Sequence, residues 1–315
     1  MTPPNRLLIL AGDARRYRDL IQAARPPGLT VTGSQSTADL PPELDGCNLI
    51  LGEPARVAPM LHRLPRLRWI QSTFAGVDAL CGPDLPHDYL LTGVKDVFGP
   101  LMSEYVFGHI LVLERRMAET LADQQAKAWV PRPYRGLQGL TLGLAGLGSI
   151  GRHIARTGEH MGMTVVAYKR TPDPAPAVRR IYWGNQLPQF LGSLDFLVLT
   201  LPRTPDTTHF INARTLAMMK PSAVLINVGR GNAIAEADLA RALKTGVIGG
   251  AVLDVFTEEP LPPTSPLWNL PNTIITPHNA AVSFPEDIIP IFLENYRRFQ
   301  KGEPLKYLID FERGY

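Results

Sequence analysis

Residues 140–171 read LTLGLAGLGSIGRHIARTGEHMGMTVVAYKRT, and this stretch decides the fold. Leu140–Ala145 is a short apolar run of the kind that forms a strand buried on both faces of a parallel sheet. A glycine-rich turn and a helix-length segment ending near His160 follow it, and Met163–Tyr168 is a second apolar, β-branched run. This order predicts a strand–turn–helix–strand unit of a doubly wound α/β protein.

The turn of this unit carries the pattern Gly-x-Gly-x-x-Gly. Gly146 permits the tight turn, Gly148 lets the backbone approach a phosphate, and Gly151 lets the helix pack closely on the strand. The N–H groups and the positive dipole end at the start of the helix favour a pyrophosphate there. Because the pattern follows a strand and opens a helix, it predicts a dinucleotide site. The residues expected to form it are Gly146, Gly148, Ser149, Ile150 and Gly151.

The residues after the second strand indicate which dinucleotide binds. Units that bind NAD usually place an Asp or Glu about 20 residues beyond the glycines, to bond the ribose 2′-OH. Lys169, Arg170 and Thr171 stand at that place in this chain. They would hold a 2′-phosphate by charge-assisted hydrogen bonds, whereas a carboxylate would repel it. We therefore expect NADP(H) to be preferred; NAD(H) stays the alternative if Lys169 and Arg170 are ordinary solvated charges.

The composition bounds the class of protein. A chain of 315 residues is long enough for two domains, and 45% hydrophobic with 19% charged residues is typical of a globular protein. A net charge of +3 with interspersed signs gives no reason to expect nucleic acid or a membrane surface as a partner. Cys47 and Cys81 form no close metal-type pair and favour a reducing compartment. Because the cysteines form no such pair, no metal is expected. The sequence has no signal-peptide core and no membrane-length apolar run, so we expect a cytoplasmic protein.

Alternating strand and helix segments continue on both sides of the glycine turn. The first hundred residues contain strand-like runs at Arg6–Ala11, Leu29–Thr32, Cys47–Leu51 and Leu67–Ser72, which predict a small doubly wound parallel sheet. Residues 101–127 form one long amphipathic segment, which predicts a single helix that bridges two domains or packs against a second subunit.

Three polar residues lie at or near the ends of later strand-like runs: Arg230, Asp254 and His278. Ligands of open parallel sheets bind beyond the carboxyl ends of the strands, so these residues are candidates for an active site. The helix-like segment 285–300 is expected to return to the N-terminal domain. We therefore expect a discontinuous substrate domain, residues 1–99 and 284–315, and a dinucleotide-binding domain, residues 100–283.

Six stretches resemble the D-isomer-specific 2-hydroxyacid dehydrogenase family, in order and spacing, over nearly the whole chain. They are QSTFAGVDAL (71–80), GLAGLGSIGR (143–152), LPRTPDTTHFI (201–211), MKPSAVLINVGRGNAI (219–234), LDVFTEEPLP (253–262) and ITPHNAA (275–281). The resemblance implies a Rossmann-type cofactor domain and a flavodoxin-like substrate domain with a cleft between them. The YKRT strand ending and the PLPPTSPLW segment look most like the glyoxylate/hydroxypyruvate reductase branch.

The resemblance also implies catalytic roles. Arg230 matches the substrate-binding arginine, whose fork can hold carboxylate and carbonyl oxygens together. His278 matches the general acid/base and Glu259 its carboxylate partner, which would fix the tautomer of the ring and favour the imidazolium. Asp254 matches a residue that helps to position the nicotinamide and does not donate a proton.

The remaining binding residues are carried over in the same way. The backbone N–H groups of Ala75 and Gly76 match the turn that holds the substrate carboxylate. The loop that lines the adenine side and phosphates matches Leu201, Pro202 and Thr207, and Val228 matches a residue beside the nicotinamide ribose. Tyr105 stands where many members carry a histidine, and the sequence assigns no consequence to this departure.

The expected activity is the NADP(H)-dependent reduction of small 2-oxo acids, with glyoxylate and hydroxypyruvate the leading substrates. Hydride would pass to the substrate C2 while His278 protonates the carbonyl oxygen. Two alternatives stay open: another family dehydrogenase, of the phosphoglycerate, formate or phosphite type, and a cofactor-sensing scaffold like the C-terminal-binding-protein corepressors. A homodimer is expected from the resemblance.

Overall fold

The computed structural model describes residues 4–34, 40 and 44–314. The chain divides into two compact units, the first formed by Met1–Val97 with Ser283–Tyr315 and the second by Phe98–Val282. The expected assignment of substrate binding to residues 1–99 with 284–315, and of dinucleotide binding to residues 100–283, remains a prediction of the role of each part.

The described residues form twelve strands and nine α-helices. In chain order the strands are β1 (Asn5–Leu10), β2 (Leu29–Ser34), β3 (Leu49–Gly52), β4 (Trp69–Ser72), β5 (Leu90–Thr92), β6 (Thr141–Ala145), β7 (Thr164–Tyr168), β8 (Arg180–Tyr182), β9 (Phe196–Leu199), β10 (Val224–Asn227), β11 (Gly250–Leu253) and β12 (Thr273–Ile275). The helices are α1 (Ala14–Ala24), α2 (Pro54–Val57), α3 (Gly99–Glu114), α4 (Met117–Gln125), α5 (Ser149–His160), α6 (Leu187–Gly192), α7 (Ala213–Leu216), α8 (Glu236–Lys244) and α9 (Pro285–Lys301).

The first unit is built on a parallel sheet with the strand order β2-β1-β3-β4-β5. This is the flavodoxin-like order. Continuous apolar runs such as Leu7–Leu10 are buried along their whole length, as expected for strands that are covered on both faces.

Helix α9 completes this unit, although it lies far along the chain from the strands it covers. The ring of Phe292 is fully buried and stacks on Trp69 of β4, with centroids 5.4 Å apart. Buried Asn295 donates a hydrogen bond from Nδ2 to Oε1 of Gln71, at 3.1 Å. The C-terminal segment therefore supplies part of the core of the first unit.

The second unit has the strand order β12-β11-β10-β9-β6-β7-β8, with every strand parallel to its neighbours. The order reverses at β6, which pairs with β7 on one side and β9 on the other. Such a reversal point is where ligands of Rossmann sheets bind, and the glycine turn begins at the carboxyl end of β6. The predicted fold class, two doubly wound parallel sheets, is confirmed.

The prediction of one long helix over residues 101–127 is wrong. Helix α3 ends at Glu114, and the chain turns through Arg116, whose φ of 52° is left-handed, before α4 begins. The side chain of Glu114 pairs with Arg135, and Arg116 pairs with Glu119 at 2.9 Å. The helix thus breaks at residues 114–117, which include neither glycine nor proline, and these two ion pairs flank the break.

Two three-residue strands, β5 and β8, were not predicted from the apolar pattern. Each lies at one edge of its sheet. Among the helices of the described part of the chain, none is both long and apolar enough to cross a membrane.

The docking of α9 can be tested by truncating its buried aromatic side chain. Phe292→Ala removes a fully buried ring and should lower the free energy of unfolding by about 3–5 kcal/mol, measured by urea denaturation. Phe284→Ala, at a position 46% exposed, is the control and should change it by about 0.5 kcal/mol or less. Equal, small effects of both substitutions would contradict the packing described for α9.

Candidate active site

The strand ends that precede Arg230, Asp254 and His278 meet at one edge of the second sheet. Strands β10, β11 and β12 are neighbours, and their last residues, Asn227, Leu253 and Ile275, are aligned with one another in register. Because the strands are parallel, the residues that follow them emerge on the same side. The topology therefore gathers these polar residues at the carboxyl edge. The glycine turn follows β6 at the same edge, and β9 separates β6 from β10.

His278 is hydrogen-bonded to the carboxylate of Glu259. Its Nδ1 lies 2.7 Å from Glu259 Oε2, and Glu259 Oε1 accepts a hydrogen bond of 2.8 Å from the backbone N–H of Phe256. Because an ionised carboxylate only accepts, Nδ1 carries the hydrogen of the first bond. Nε2 is then the ring nitrogen that can exchange a proton with a ligand.

This pair shifts the pKa of both partners. The hydrogen bond to Glu259 has the largest effect on His278 and raises its pKa, against burial, which lowers it. For Glu259, burial is the largest single effect and would raise the pKa. The hydrogen bonds from His278 and Phe256, together with the charges of His278 and Arg230, outweigh burial, so the pKa of Glu259 is lowered. The imidazolium–carboxylate form is therefore favoured near neutral pH.

Asp254 fixes the loop on which His278 lies. Its buried carboxylate accepts hydrogen bonds from Thr276 Oγ1 at 2.6 Å, Asn279 N at 2.9 Å and Ala280 N at 3.0 Å. The backbone N–H of His278 donates to the carbonyl oxygen of Asp254 at 2.9 Å. The structure thus shows a contact of Asp254 that the sequence did not suggest, and its predicted part in positioning the nicotinamide stays a prediction.

Tyr105, on α3, extends this network. Its hydroxyl lies 2.6 Å from Thr276 Oγ1. Since the threonine hydroxyl has one hydrogen and gives it to the carboxylate of Asp254, the tyrosine hydroxyl is the donor of the second bond. Burial raises the pKa of Tyr105 to about 12, so the phenol keeps the proton that this bond needs. Tyr105 therefore braces the His278 loop, a consequence that the sequence did not reveal.

Arg230 lies on a turn that is shaped by Asn227, a fully buried residue that sequence reasoning missed. The side chain of Asn227 accepts from Gly229 N at 3.1 Å and donates to the carbonyl oxygen of Arg230 at 3.0 Å. The next residue, Gly231, has no room for a side chain, because a Cβ there would lie 1.9 Å from the carbonyl carbon of Phe256. This close approach brings the arginine turn against the segment that leads to Glu259.

The positive charge of Arg230 acts on both members of the pair. It lowers the pKa of Glu259 and opposes the rise in the pKa of His278. Arginine, histidine and glutamate thus form one electrostatic group. Strand ends suggested Arg230 and His278 in the sequence, and the family resemblance suggested Glu259; their catalytic roles stay predictions. A guanidinium beside an imidazolium is suited to an anionic ligand that also accepts a proton.

The glycine turn fits a dinucleotide pyrophosphate. Gly146 has a φ of +95°, and a Cβ at Gly151 would lie 2.7 Å from the carbonyl oxygen of Gly146. A Cβ at Gly148 would meet no described atom within 4 Å, so the space above the turn is open to a ligand. Gly148 also has no side chain with which to cap α5, which leaves the first N–H groups, including those of Ser149 and Ile150, for a phosphate.

Two of the residues after β7, Lys169 and Thr171, contact the carboxylate of Asp173. Lys169 Nζ lies 3.2 Å from Oδ2 of Asp173, and Thr171 donates a hydrogen bond of 2.6 Å from Oγ1 to the same oxygen. Arg170 is exposed beside them. Asp173 was not among the predicted site residues.

The other predicted binding residues have structural contacts of their own. Thr207 Oγ1 donates to the carbonyl oxygen of Pro202 at 2.7 Å and so closes the loop that follows Leu201. Val228 is buried directly after β10. Their predicted contacts with the cofactor stay predictions.

Ala75 and Gly76 belong to the first unit, in a bend after β4. Ser72 stabilises the start of this bend, because its hydroxyl accepts from Phe74 N at 3.0 Å. The role of the Ala75 and Gly76 N–H groups in carboxylate binding stays a prediction.

The fold and the glycine turn together define a dinucleotide-binding α/β protein. A family model described as "D-isomer specific 2-hydroxyacid dehydrogenase, NAD binding domain" matches residues 107–280. Glyoxylate/hydroxypyruvate reductase A of Yersinia enterocolitica is 34% identical over 263 residues, which cover 81% of this chain and 84% of the relative. The chain belongs to the D-isomer specific 2-hydroxyacid dehydrogenase family, which confirms the prediction made from the six motifs.

Solved structures agree with this placement. A D-isomer specific 2-hydroxyacid dehydrogenase family protein from Aeromonas salmonicida is 46% identical, with a TM-score of 0.95 and coverage of 98% of this chain and 99% of that one. An NADPH-dependent glyoxylate/hydroxypyruvate reductase from Sinorhizobium meliloti, solved with NADP and sulfate, is 31% identical, with a TM-score of 0.89 and coverage of 99% and 100%. Within the family, the chain is similar to the glyoxylate/hydroxypyruvate reductases.

The coupling of His278 to Glu259 predicts a measurable titration. In Glu259→Gln the carboxylate charge is lost, so the pKa of His278 should fall, as followed by NMR of the labelled imidazole. Glu258→Gln, at the exposed neighbouring position, is the matched control and should leave the titration unchanged. An unaltered pKa of His278 in the Glu259 variant would show that the pair does not form in solution.

Proposed function

We propose that this chain reduces small 2-oxo acids to 2-hydroxy acids with NADP(H), with His278 as the general acid. The observation that carries the proposal is the hydrogen-bonded His278–Glu259 pair beside Arg230, at the carboxyl edge of the sheet that also carries the glycine turn. Glyoxylate and hydroxypyruvate are the proposed substrates, because the relatives are named for them.

The residues of the second unit account for binding and proton transfer. The guanidinium of Arg230 is suited to hold the substrate carboxylate and to polarise the carbonyl oxygen. The bound dinucleotide supplies the hydride that reduces the carbonyl carbon. His278 gives the proton on Nε2 to the carbonyl oxygen, which becomes the hydroxyl, and is then reprotonated from solvent. Glu259 keeps Nδ1 protonated and stabilises the imidazolium before transfer.

NADP(H) is proposed as the cofactor because of the charges after β7. Lys169, Arg170 and Thr171 supply two cations and a hydroxyl donor for a 2′-phosphate. The Sinorhizobium meliloti reductase was solved with NADP and a Xanthobacter autotrophicus family member with NADPH, which supports the same preference here.

If His278 is the general acid, its removal should slow the reaction. His278→Ala should lower kcat for the NADPH-dependent reduction of glyoxylate by about 10²- to 10⁴-fold, with the Kd of NADPH little changed. In the unaltered chain, kcat/KM should fall as pH rises through the raised pKa of His278, because reduction needs the imidazolium.

The alternatives give different results in the same assay. His160→Ala, at an exposed position on α5, is the control and should retain full activity. Full activity of His278→Ala would refute the assignment of the acid. If NADPH binds but no 2-oxo acid is reduced, the cofactor-sensing scaffold would replace the enzyme.

We also propose a homodimer, in which a second copy covers the apolar side chains exposed on and after α3 and α4. Leu111 and Leu121 are 38% and 59% exposed, and Trp129 is 96% exposed. Sedimentation should give twice the chain mass of 34.7 kDa, and Leu121→Lys should shift the population toward monomer. Val247→Lys, on another loop of the second unit, is the control. A monomer for the unaltered chain would contradict the proposal.

A further inference from the structure

The carboxylate of Asp173 contacts two of the three residues after β7, Lys169, Arg170 and Thr171, that are proposed to bind the 2′-phosphate. Thr171 Oγ1 and Lys169 Nζ both bond the same oxygen, Oδ2 of Asp173, at 2.6 and 3.2 Å. The side chain of Lys169 is 17% exposed, while that of Asp173 is 72% exposed. The lysine is therefore fixed in the protein, and the aspartate reaches it from the solvent side.

The chemistry of this contact is that expected for a 2′-phosphate. A hydroxyl donor and an ammonium converge on one anionic oxygen, and a phosphate oxygen accepts the same two bonds. The hydrogen bond from Thr171, followed by that from Lys169, lowers the pKa of Asp173. The carboxylate is thus ionised at neutral pH and competes for the donors that the proposed NADP(H) site needs.

We propose that Asp173 sets the cofactor preference by competing with the 2′-phosphate of NADP(H) for Lys169 and Thr171. The inference rests on the proposed function, because it takes these residues as the phosphate site. When the 2′-phosphate binds, the carboxylate must leave Lys169 and Thr171, and its negative charge opposes binding. When the cofactor has only a 2′-OH, the carboxylate can stay and accept its hydrogen bond, as acids do in units that bind NAD.

If Asp173 has only a structural role, different nucleotide affinities are expected on its removal. An exposed ion pair contributes little to folding, because water screens both charges and the side chains lose conformational freedom. If the contact only shapes the loop, its removal would weaken the binding of both nucleotides alike. If the carboxylate competes, its removal would strengthen only the binding of the nucleotide that carries the 2′-phosphate.

The experiment is calorimetric titration of the full chain with 2′,5′-ADP and with 5′-AMP. Asp173→Asn should bind 2′,5′-ADP roughly 3- to 10-fold more tightly, since one like charge beside the phosphate is removed. Its affinity for 5′-AMP should stay the same or fall. Glu159→Gln removes an equal charge at an exposed site on α5 and should change neither affinity. Asp173→Glu should keep the weaker binding of 2′,5′-ADP.

The outcomes separate this inference from the cofactor proposal. If the unaltered chain prefers 2′,5′-ADP and Lys169→Ala abolishes the preference, the NADP(H) site is supported. An unchanged or weaker affinity of Asp173→Asn for 2′,5′-ADP would then overturn the competition alone. If neither the unaltered chain nor Asp173→Asn prefers 2′,5′-ADP to 5′-AMP, both the NADP(H) site and the competition are refuted.

Discussion

The hydrogen bond between His278 Nδ1 and Glu259 Oε2 is the interaction on which the proposed chemistry of the site depends. An isolated histidine is only partly protonated at neutral pH, and its ring can present either nitrogen to a ligand. The carboxylate removes both uncertainties, because it stabilises the imidazolium and takes up Nδ1. The other proton of the imidazolium is then held on Nε2, the one ring nitrogen that can give it to a ligand.

The geometry of this bond is held by backbone contacts on both sides. Glu259 is fixed by the N–H of Phe256, and the His278 loop is fixed by the buried carboxylate of Asp254. Tyr105 braces the same loop from α3 through Thr276. The parallel sheet accounts for this arrangement, because several of its strands end at one edge and the loops that follow them supply polar groups.

Much of the fold, and the placement of Arg230, Asp254 and His278 at strand ends, could be predicted from local sequence, whereas Glu259 was found through the family resemblance. The glycine turn, the apolar strands and the polar residues at strand ends each leave a pattern within a few neighbouring residues. The break at Arg116 leaves none: the residues there include no glycine or proline, and the pairing of Glu114 with the distant Arg135 is seen only in the folded chain. The role of Tyr105 was not predicted, because its partner Thr276 is far along the chain and is brought near only by folding. The role of Asn227 was not predicted either, although its partners Gly229 and Arg230 are only two and three residues away.

We propose that one dinucleotide extends from Lys169 and the glycine turn to the Arg230–Glu259–His278 group. A crystal structure with NADPH and oxamate, an unreactive 2-oxo acid analogue, tests it most directly. We expect the 2′-phosphate at Lys169, oxamate on Arg230, and the carbonyl oxygen of oxamate within hydrogen-bond distance of His278 Nε2. A nicotinamide bound away from His278, or oxamate held by other residues, would contradict it.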